Sequence, residues 1–274
     1  MLIKPRKYSG AGDPAEVARL ETQATAMTNI LTQEFKLLNL KPKMKVLDVG
    51  CGSGAITRRI AEAVYPETVL GVDIDPVFIE EARKTALSKG VENIHFDVGN
   101  IDDMPYETGS FDLAYCRLVL MHVNDPVRSV SEMKRVTGKG GYVAASDIDD
   151  DTIVVFPEAP TFWGLWEKYS ERAVRSGQNR HVGRELYSIF HRAGLKSISV
   201  HPMPIFATAA NPEVLKTFAS VPFGILESVK SGIIGDGLAS EEDFDRLHEE
   251  FNLLSEDGGA FGMYCSFLAI GKVP

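Results

Sequence analysis

Positive charge, cysteine and long apolar runs are what this sequence has little of. Its 29 lysines and arginines stand against 38 aspartates and glutamates, a net charge of −9. A chain of that sign is not expected to bind nucleic acid by neutralising phosphates, and no basic run offsets it locally. The three cysteines, Cys51, Cys116 and Cys265, are too far apart and odd in number for a disulfide framework or a zinc site. Their scarcity fits a reducing cytoplasm. No stretch approaches the roughly eighteen uninterrupted apolar residues of a membrane span. The opening MLIKPRKYSGAGDPAE has basic residues with no apolar core after them, so it is not expected to act as a signal peptide. Internal repeats and low-complexity tracts are also missing.

What is there is an alternation of strand-like and helix-like segments. Residues 14–39 place Leu20, Ala24, Met27, Ile30, Leu31 and Phe35 at helical spacing, with Asp13 as cap and Pro14 as an early helical residue. Short apolar runs at 45–49, 69–73, 93–98, 111–116 and 142–147 read as strands. Between them helices run from about Ser53 to Val64, from Pro76 to Lys89 with Gly90 as the stop, and from Asp125-Pro126 to Gly138. Such alternation demands a parallel sheet with right-handed crossovers, and unbroken apolar strands imply that both sheet faces are covered.

The second half loses that rhythm. Residues 151–178, with Phe156, Phe162, Trp163, Trp166 and Tyr169, read as an inserted helix. A sheet-flanking helix is expected over 181–193, a strand over 197–207, a further helical insertion over about 211–256, and a last strand in FGMYCSFLAIGKV.

The stretch VLDVGCGSGAITRRIAEAV, residues 46–64, carries the chemistry. Gly50, Gly52 and Gly54 alternate between a strand and a helix. Glycine allows the positive φ of a tight turn and a close backbone approach to a ligand, and the helix N-terminus offers free amides. Asp73 ends the second strand, where a carboxylate accepts hydrogen bonds from a ribose diol. This order of elements points to an adenosine-containing ligand at the carboxyl ends of the strands; the plainer reading is a tight turn beside an exposed acid. Gly50, Gly52 and Ala55 also satisfy the relaxed dinucleotide pattern. Asp48 argues against a dinucleotide, because it would repel a pyrophosphate and welcome an ammonium and a sulfonium.

Four segments, VLDVGCGSG, GVDIDP, GNIDDMPYETGSFDLAY and VLMHVNDP, follow one another within about residues 44–148. As an ordered set they resemble the motifs of class I S-adenosylmethionine-dependent methyltransferases, most of all the small-molecule branch that is ubiquinone/menaquinone-methyltransferase-like. The resemblance implies an α/β, Rossmann-like doubly wound fold over 1–274, with a mostly parallel seven-stranded sheet and an antiparallel last strand. It implies S-adenosylmethionine as cofactor. Asp48, Gly50, Cys51 and Gly52 would surround its methionine part, Asp73 would hold the ribose, and Ile74, Asn100 and Ile101 would border the adenine. Asn100 stands where the family more often has aspartate; an amide still offers hydrogen bonds to adenine. Arg117, Leu118 and His122 would line the wall nearest the reacting methyl, and Gln23, with Tyr8, would cover the cofactor from the first helix.

Methyl transfer from a sulfonium needs alignment and exclusion of water, and a base only for an acceptor that arrives protonated. No catalytic residue is therefore fixed. His122 is the candidate base, against a plainer role in packing or capping. Arg117 would bind an acidic substrate group, or pair with Asp147 or Asp149. DIDDD, Asp147–Asp151, reads as a solvated acidic loop in preference to a divalent-metal site, so no metal is expected. The insertions, about 151–178 and 208–258, are expected to form a lid over a largely apolar pocket, with VPFGIL supplying an apolar face and SGIIGDG flexible joints. A lidded pocket suits a small-molecule methyl acceptor, with neither nucleic acid nor membrane as partner. An NAD(P)-dependent oxidoreductase and a non-catalytic cofactor-binding protein on the same fold are the alternatives.

Overall fold

Val46–Val49 (β1) is buried residue by residue, as a strand covered on both faces must be. It is the axis of the fold in the computed structural model, which describes Glu21 and residues 28–274. The expected helix over 14–39 is described only at Glu21 and as α1, Thr28–Leu38; Tyr8 and Gln23 lie outside the described residues.

From β1 the chain alternates as its periodicity implies. Ala55–Val64 forms α2, Val69–Asp73 β2, Pro76–Ser88 α3, Ile94–Val98 β3, Phe111–Arg117 β4, Pro126–Val136 α4 and Thr137–Ile148 β5. Asp75 and Asp125 cap α3 and α4 through their side chains, each followed by proline in the first turn. The remaining elements are Val154–Phe156 (β6), Pro160–Arg175 (α5), Val182–Arg192 (α6), Lys196–Thr208 (β7), Pro212–Gly235 (α7), Glu241–Glu256 (α8) and Phe261–Lys272 (β8).

The sheet order is β3-β2-β1-β4-β5-β8-β6, with β7 on β8. β1 to β5 pair in parallel. Val273 exchanges hydrogen bonds with Gly140 and Gly141 at the start of β5, so the last strand runs antiparallel. The mostly parallel sheet and its reversed end agree with the expected Rossmann-like class. One strand is added among the described residues. The segment read as an inserted helix opens with β6, which pairs antiparallel with Phe261–Met263. Its Val-Val-Phe run has strand propensity that the aromatic spacing further on obscured.

The chain divides into two compact units. The first comprises residues 1–148, 182–202 and 267–274. Its core centres on Leu47, Val49, Ala114, Cys116, Val143 and Ala145, packed by Met133 of α4 and Leu186 and Phe190 of α6. The second comprises 149–181 and 203–266. Phe162, Leu165 and Trp166 of α5 pack there with Phe223 and Leu226 of α7 and Phe244 and Leu247 of α8. Phe162 stacks on Trp166 and Phe223 with ring centroids 5.4 and 5.0 Å apart. VPFGIL lies inside α7 and contributes Phe223 and Leu226 to that core. SGIIGDG supplies no joint before Asp236: Ser231–Gly235 continues α7, and the turn comes at Gly237 with φ 70°. Among the described residues no helix is long and apolar enough to cross a membrane.

Candidate functional site

β1 delivers the glycine turn. Gly50 has φ 71° and Gly52 φ 52°, a left-handed backbone that only glycine adopts at little cost. The amides of Gly50 and Cys51 both donate to Val72 O, which folds the turn against the end of β2. A Cβ on Gly50 would stand 2.4 Å from Val119 Cγ2. After the turn, Gly54 caps α2, and Glu21 reaches it from the N-terminal side by accepting from Ser53 Oγ and pairing with Arg58 at 2.6 Å.

Two carboxylates flank this turn. Asp48 is buried in register between Gly71 and Tyr115. Its Oδ2 accepts from Thr57 Oγ1 at 2.6 Å. Burial pushes its carboxyl up to about 7, the Thr57 hydrogen bond opposes this, and the charge of Asp73 adds to it. Asp73 accepts from the amides of Gly52 and Asp75, both at 2.9 Å. Burial also raises its carboxyl, against those two amides. The Cys51 thiol is held well above its usual range, by burial first and then by Asp48 and Asp73; it is no nucleophile at neutral pH.

This donor set tests the expected cofactor. Residues 48–54 and Asp73 hold two mutually repelling carboxylates and no cation. Such a cradle disfavours a pyrophosphate and suits an ammonium, a sulfonium and a ribose diol. The residues present fit S-adenosylmethionine.

The adenine candidates gather behind β2 and β3. Ile74 follows Asp73 and is exposed. Asn100 and Ile101 are half-buried just past β3. Asn100 Oδ1 accepts from Asp102 N at 3.0 Å, which fixes the side chain through its carbonyl and leaves its NH2 group as the donor end.

At the end of β4, Nε of Arg117 lies 3.6 Å from Oε2 of Glu34, at ion-pair distance, and both side chains are buried. Glu34, on α1, is fully buried and also accepts from Tyr115 Oη at 2.6 Å and Ser146 Oγ at 2.7 Å. Sequence reasoning missed Glu34. Its signal was position: with Ile30, Leu31 and Leu38 it completes the buried stripe of α1, where a charge demands partners. Leu118 has φ 56°, rare for a non-glycine residue, and its amide donates to Ser146 O. His122 ends a 3₁₀ turn over Leu120–His122 and is half-buried.

The acidic run is not a solvated loop. Asp147, Asp149 and Asp150 are buried. Asp147 Oδ2 accepts from Met121 N. In the second unit, Asp150 forms a buried bidentate pair with Arg180 at 2.8 and 2.9 Å. Burial raises the Asp150 carboxyl, and Arg180 pulls it partly back. Arg180 also lies 5.2 Å from the ring centre of Tyr169 and 5.8 Å from that of Trp166. The distant arginine that made this burial affordable stands 30 residues on, so the local run could not disclose it. Asp149, Asp151 and His181 hold ligand-type atoms within 4.8 Å of one another; His181 Nδ1 lies 3.3 Å from Asp149 Oδ1 and 3.7 Å from Asp151 Oδ1.

Residues 40–194 match the model of a methyltransferase domain. The chain is 32% identical over 158 residues to an uncharacterized methyltransferase of Schizosaccharomyces pombe, covering 56% of each chain. It is 28% identical over 191 residues to the demethylmenaquinone methyltransferase of Bacillus cytotoxicus, covering 65% of this chain and 80% of that one. The chain spans little more than half the length of some curated relatives. Its fold is shared with Haemonchus contortus phosphoethanolamine N-methyltransferase 2, solved in complex with S-adenosyl-L-methionine, at a TM-score of 0.58 and 18% identity over 90% of this chain and 53% of that one. The motif resemblance to class I methyltransferases is borne out, and S-adenosylmethionine is the cofactor that goes with it. With more than half of its length matched, the chain belongs to the methyltransferase-domain family.

Proposed function

We propose that the protein transfers a methyl group from S-adenosylmethionine to a small-molecule acceptor. The observation that carries the reading is the pairing of two carboxylates, Asp48 and Asp73, around a turn of positive-φ glycines. When bound, the cofactor supplies a methyl on a sulfonium, a leaving group already in place. Asp73 holds the ribose hydroxyls, and its bond from Gly52 N ties that role to the shape of the turn. Asp48 and the Gly50–Gly52 backbone face the methionine end. Ile74, Asn100 and Ile101 border the adenine, and Arg117 and Leu118 bound the side of the reacting group. Gln23 keeps its proposed role as part of the cover.

The two proposed lid segments, about 151–178 and 208–258, fall within the second unit, which has its own aromatic core. A small acceptor is supported by the small-molecule substrates named for the demethylmenaquinone and phosphoethanolamine relatives, and by the net charge of −9, which disfavours nucleic acid. The chain needs no general base for a carbanion or a free amine; for a hydroxyl acceptor His122 is the residue to take the proton. Calorimetry with S-adenosylhomocysteine and with NADH tests the reading. One-to-one binding of the first and none of the second is expected; the reverse would overturn it.

A further inference from the structure

We infer that Glu34 is a positioning residue for the methyl-donor site: its carboxylate holds the Arg117–Leu118 turn in the geometry that receives the sulfur and amino-acid end of the cofactor. The inference rests on the proposed S-adenosylmethionine site. Glu34 lies on α1 and gathers three groups from two strands. Tyr115 Oη and Ser146 Oγ donate to its two oxygens at 2.6 and 2.7 Å, and Arg117 Nε stands 3.6 Å away. Tyr115 and Arg117 belong to β4, and Ser146 to β5. The same Ser146 accepts the Leu118 amide on its carbonyl at 2.8 Å. One carboxylate thus holds both the strand that leads into Leu118 and the Ser146 that bonds its amide; the φ of 56° at Leu118 is a left-handed conformation that persists only where the surroundings over-determine it.

Stability alone does not account for this arrangement. A fully buried ion pair gives little or nothing over an apolar filling of the same volume. Ile30, Leu31 and Leu38 show that apolar side chains fill the rest of the α1 stripe. What a buried, multiply bonded carboxylate gives instead is a fixed geometry, and it fixes the residues proposed to bound the reacting end of the cofactor. Tyr115 adds a second link. It is in register with Asp48, so Glu34 bonds to the strand position beside the carboxylate that faces the methionine end.

The test compares two ligands that differ only at that end. S-adenosylhomocysteine carries the amino-acid tail; 5′-methylthioadenosine has the same adenosine and sulfur with a methyl in its place. Their affinities are measured by calorimetry for the wild type, Glu34→Gln and Ser146→Ala, with thermal unfolding followed by circular dichroism. Glu34→Gln is expected to lose S-adenosylhomocysteine affinity on the order of tenfold or more while its 5′-methylthioadenosine affinity stays at the wild-type level. Ser146→Ala removes one bond to Glu34 and leaves the carbonyl that holds Leu118, so it is expected to show the same selective loss in smaller measure. If Glu34→Gln fails to fold, Ser146→Ala decides. Unchanged affinity for both ligands, or equal loss of both, in a folded variant would overturn the positioning role alone. Failure of the wild type to bind S-adenosylhomocysteine would overturn the proposed site and this inference with it.

Discussion

Thr57 Oγ1 and Asp48 Oδ2 share a 2.6 Å hydrogen bond between α2 and β1, with both residues buried. That bond opposes the burial that raises Asp48 to about 7 from an ordinary 3.8. Between those values the folded protein holds a proton that the unfolded chain releases, so stability falls as pH rises from about 4 to about 7 and levels off above. Asp48→Asn keeps an acceptor for Thr57 and removes the titration. It is expected to flatten this slope, and at pH 8 to exceed the wild type by on the order of 4 kcal/mol. Urea unfolding at pH 5 and pH 8 measures both slopes; parallel slopes would remove Asp48 as the titrating group.

The same carboxyl gives a signature on the ligand side. A cofactor that carries an ammonium and a sulfonium favours the charged form of Asp48, so binding near pH 7 is expected to release protons. Calorimetry in two buffers of different ionisation enthalpy counts them. In Asp48→Asn the buffer dependence should vanish.

Gly50→Ala adds a Cβ 2.4 Å from Val119 Cγ2 at a position with φ 71°. The expected cost is about 1–3 kcal/mol, from the strained backbone and the contact together. Gly50→Ala with Val119→Ala relieves the contact but not the backbone, so chemical denaturation should show partial recovery. Full recovery would mean that φ at Gly50 carries no cost.

Arg180→Met leaves Asp150 buried without its bidentate partner, an expected loss of about 3–5 kcal/mol. Pairing it with Asp150→Leu should restore most of that loss. Both tryptophans of the chain lie on α5 of the same unit, with Arg180 5.8 Å from the Trp166 ring, so intrinsic fluorescence during denaturation reports on it directly. Equal destabilisation in the single and double variants would contradict the ion-pair assignment.

The parts that sequence disclosed are those whose physics is local. A positive-φ turn needs glycine within a few residues, so Gly50 and Gly52 announced the loop, and Asp73 followed at the end of the next apolar run. Pro76 and the pair Asp125-Pro126 marked two helix starts. What stayed hidden depends on partners far along the chain. Glu34 meets Tyr115 and Ser146 across 81 and 112 residues, and Asp150 meets Arg180 across 30. An acid on a helix face or in an acidic run looks solvated until its partner is known. The short strand β6 was overlooked for a similar reason: it exists by pairing with Phe261–Met263, more than a hundred residues further on.

Asp73→Ala, titrated with S-adenosylhomocysteine beside the wild type, tests the central claim most directly. The variant loses the ribose partner and the bond that braces Gly52. One-to-one binding by the wild type, weakened in the variant by about 1.5–3 kcal/mol for each charge-assisted hydrogen bond lost, is the expected result. Equal affinity in the two proteins, or no binding by the wild type, would contradict it.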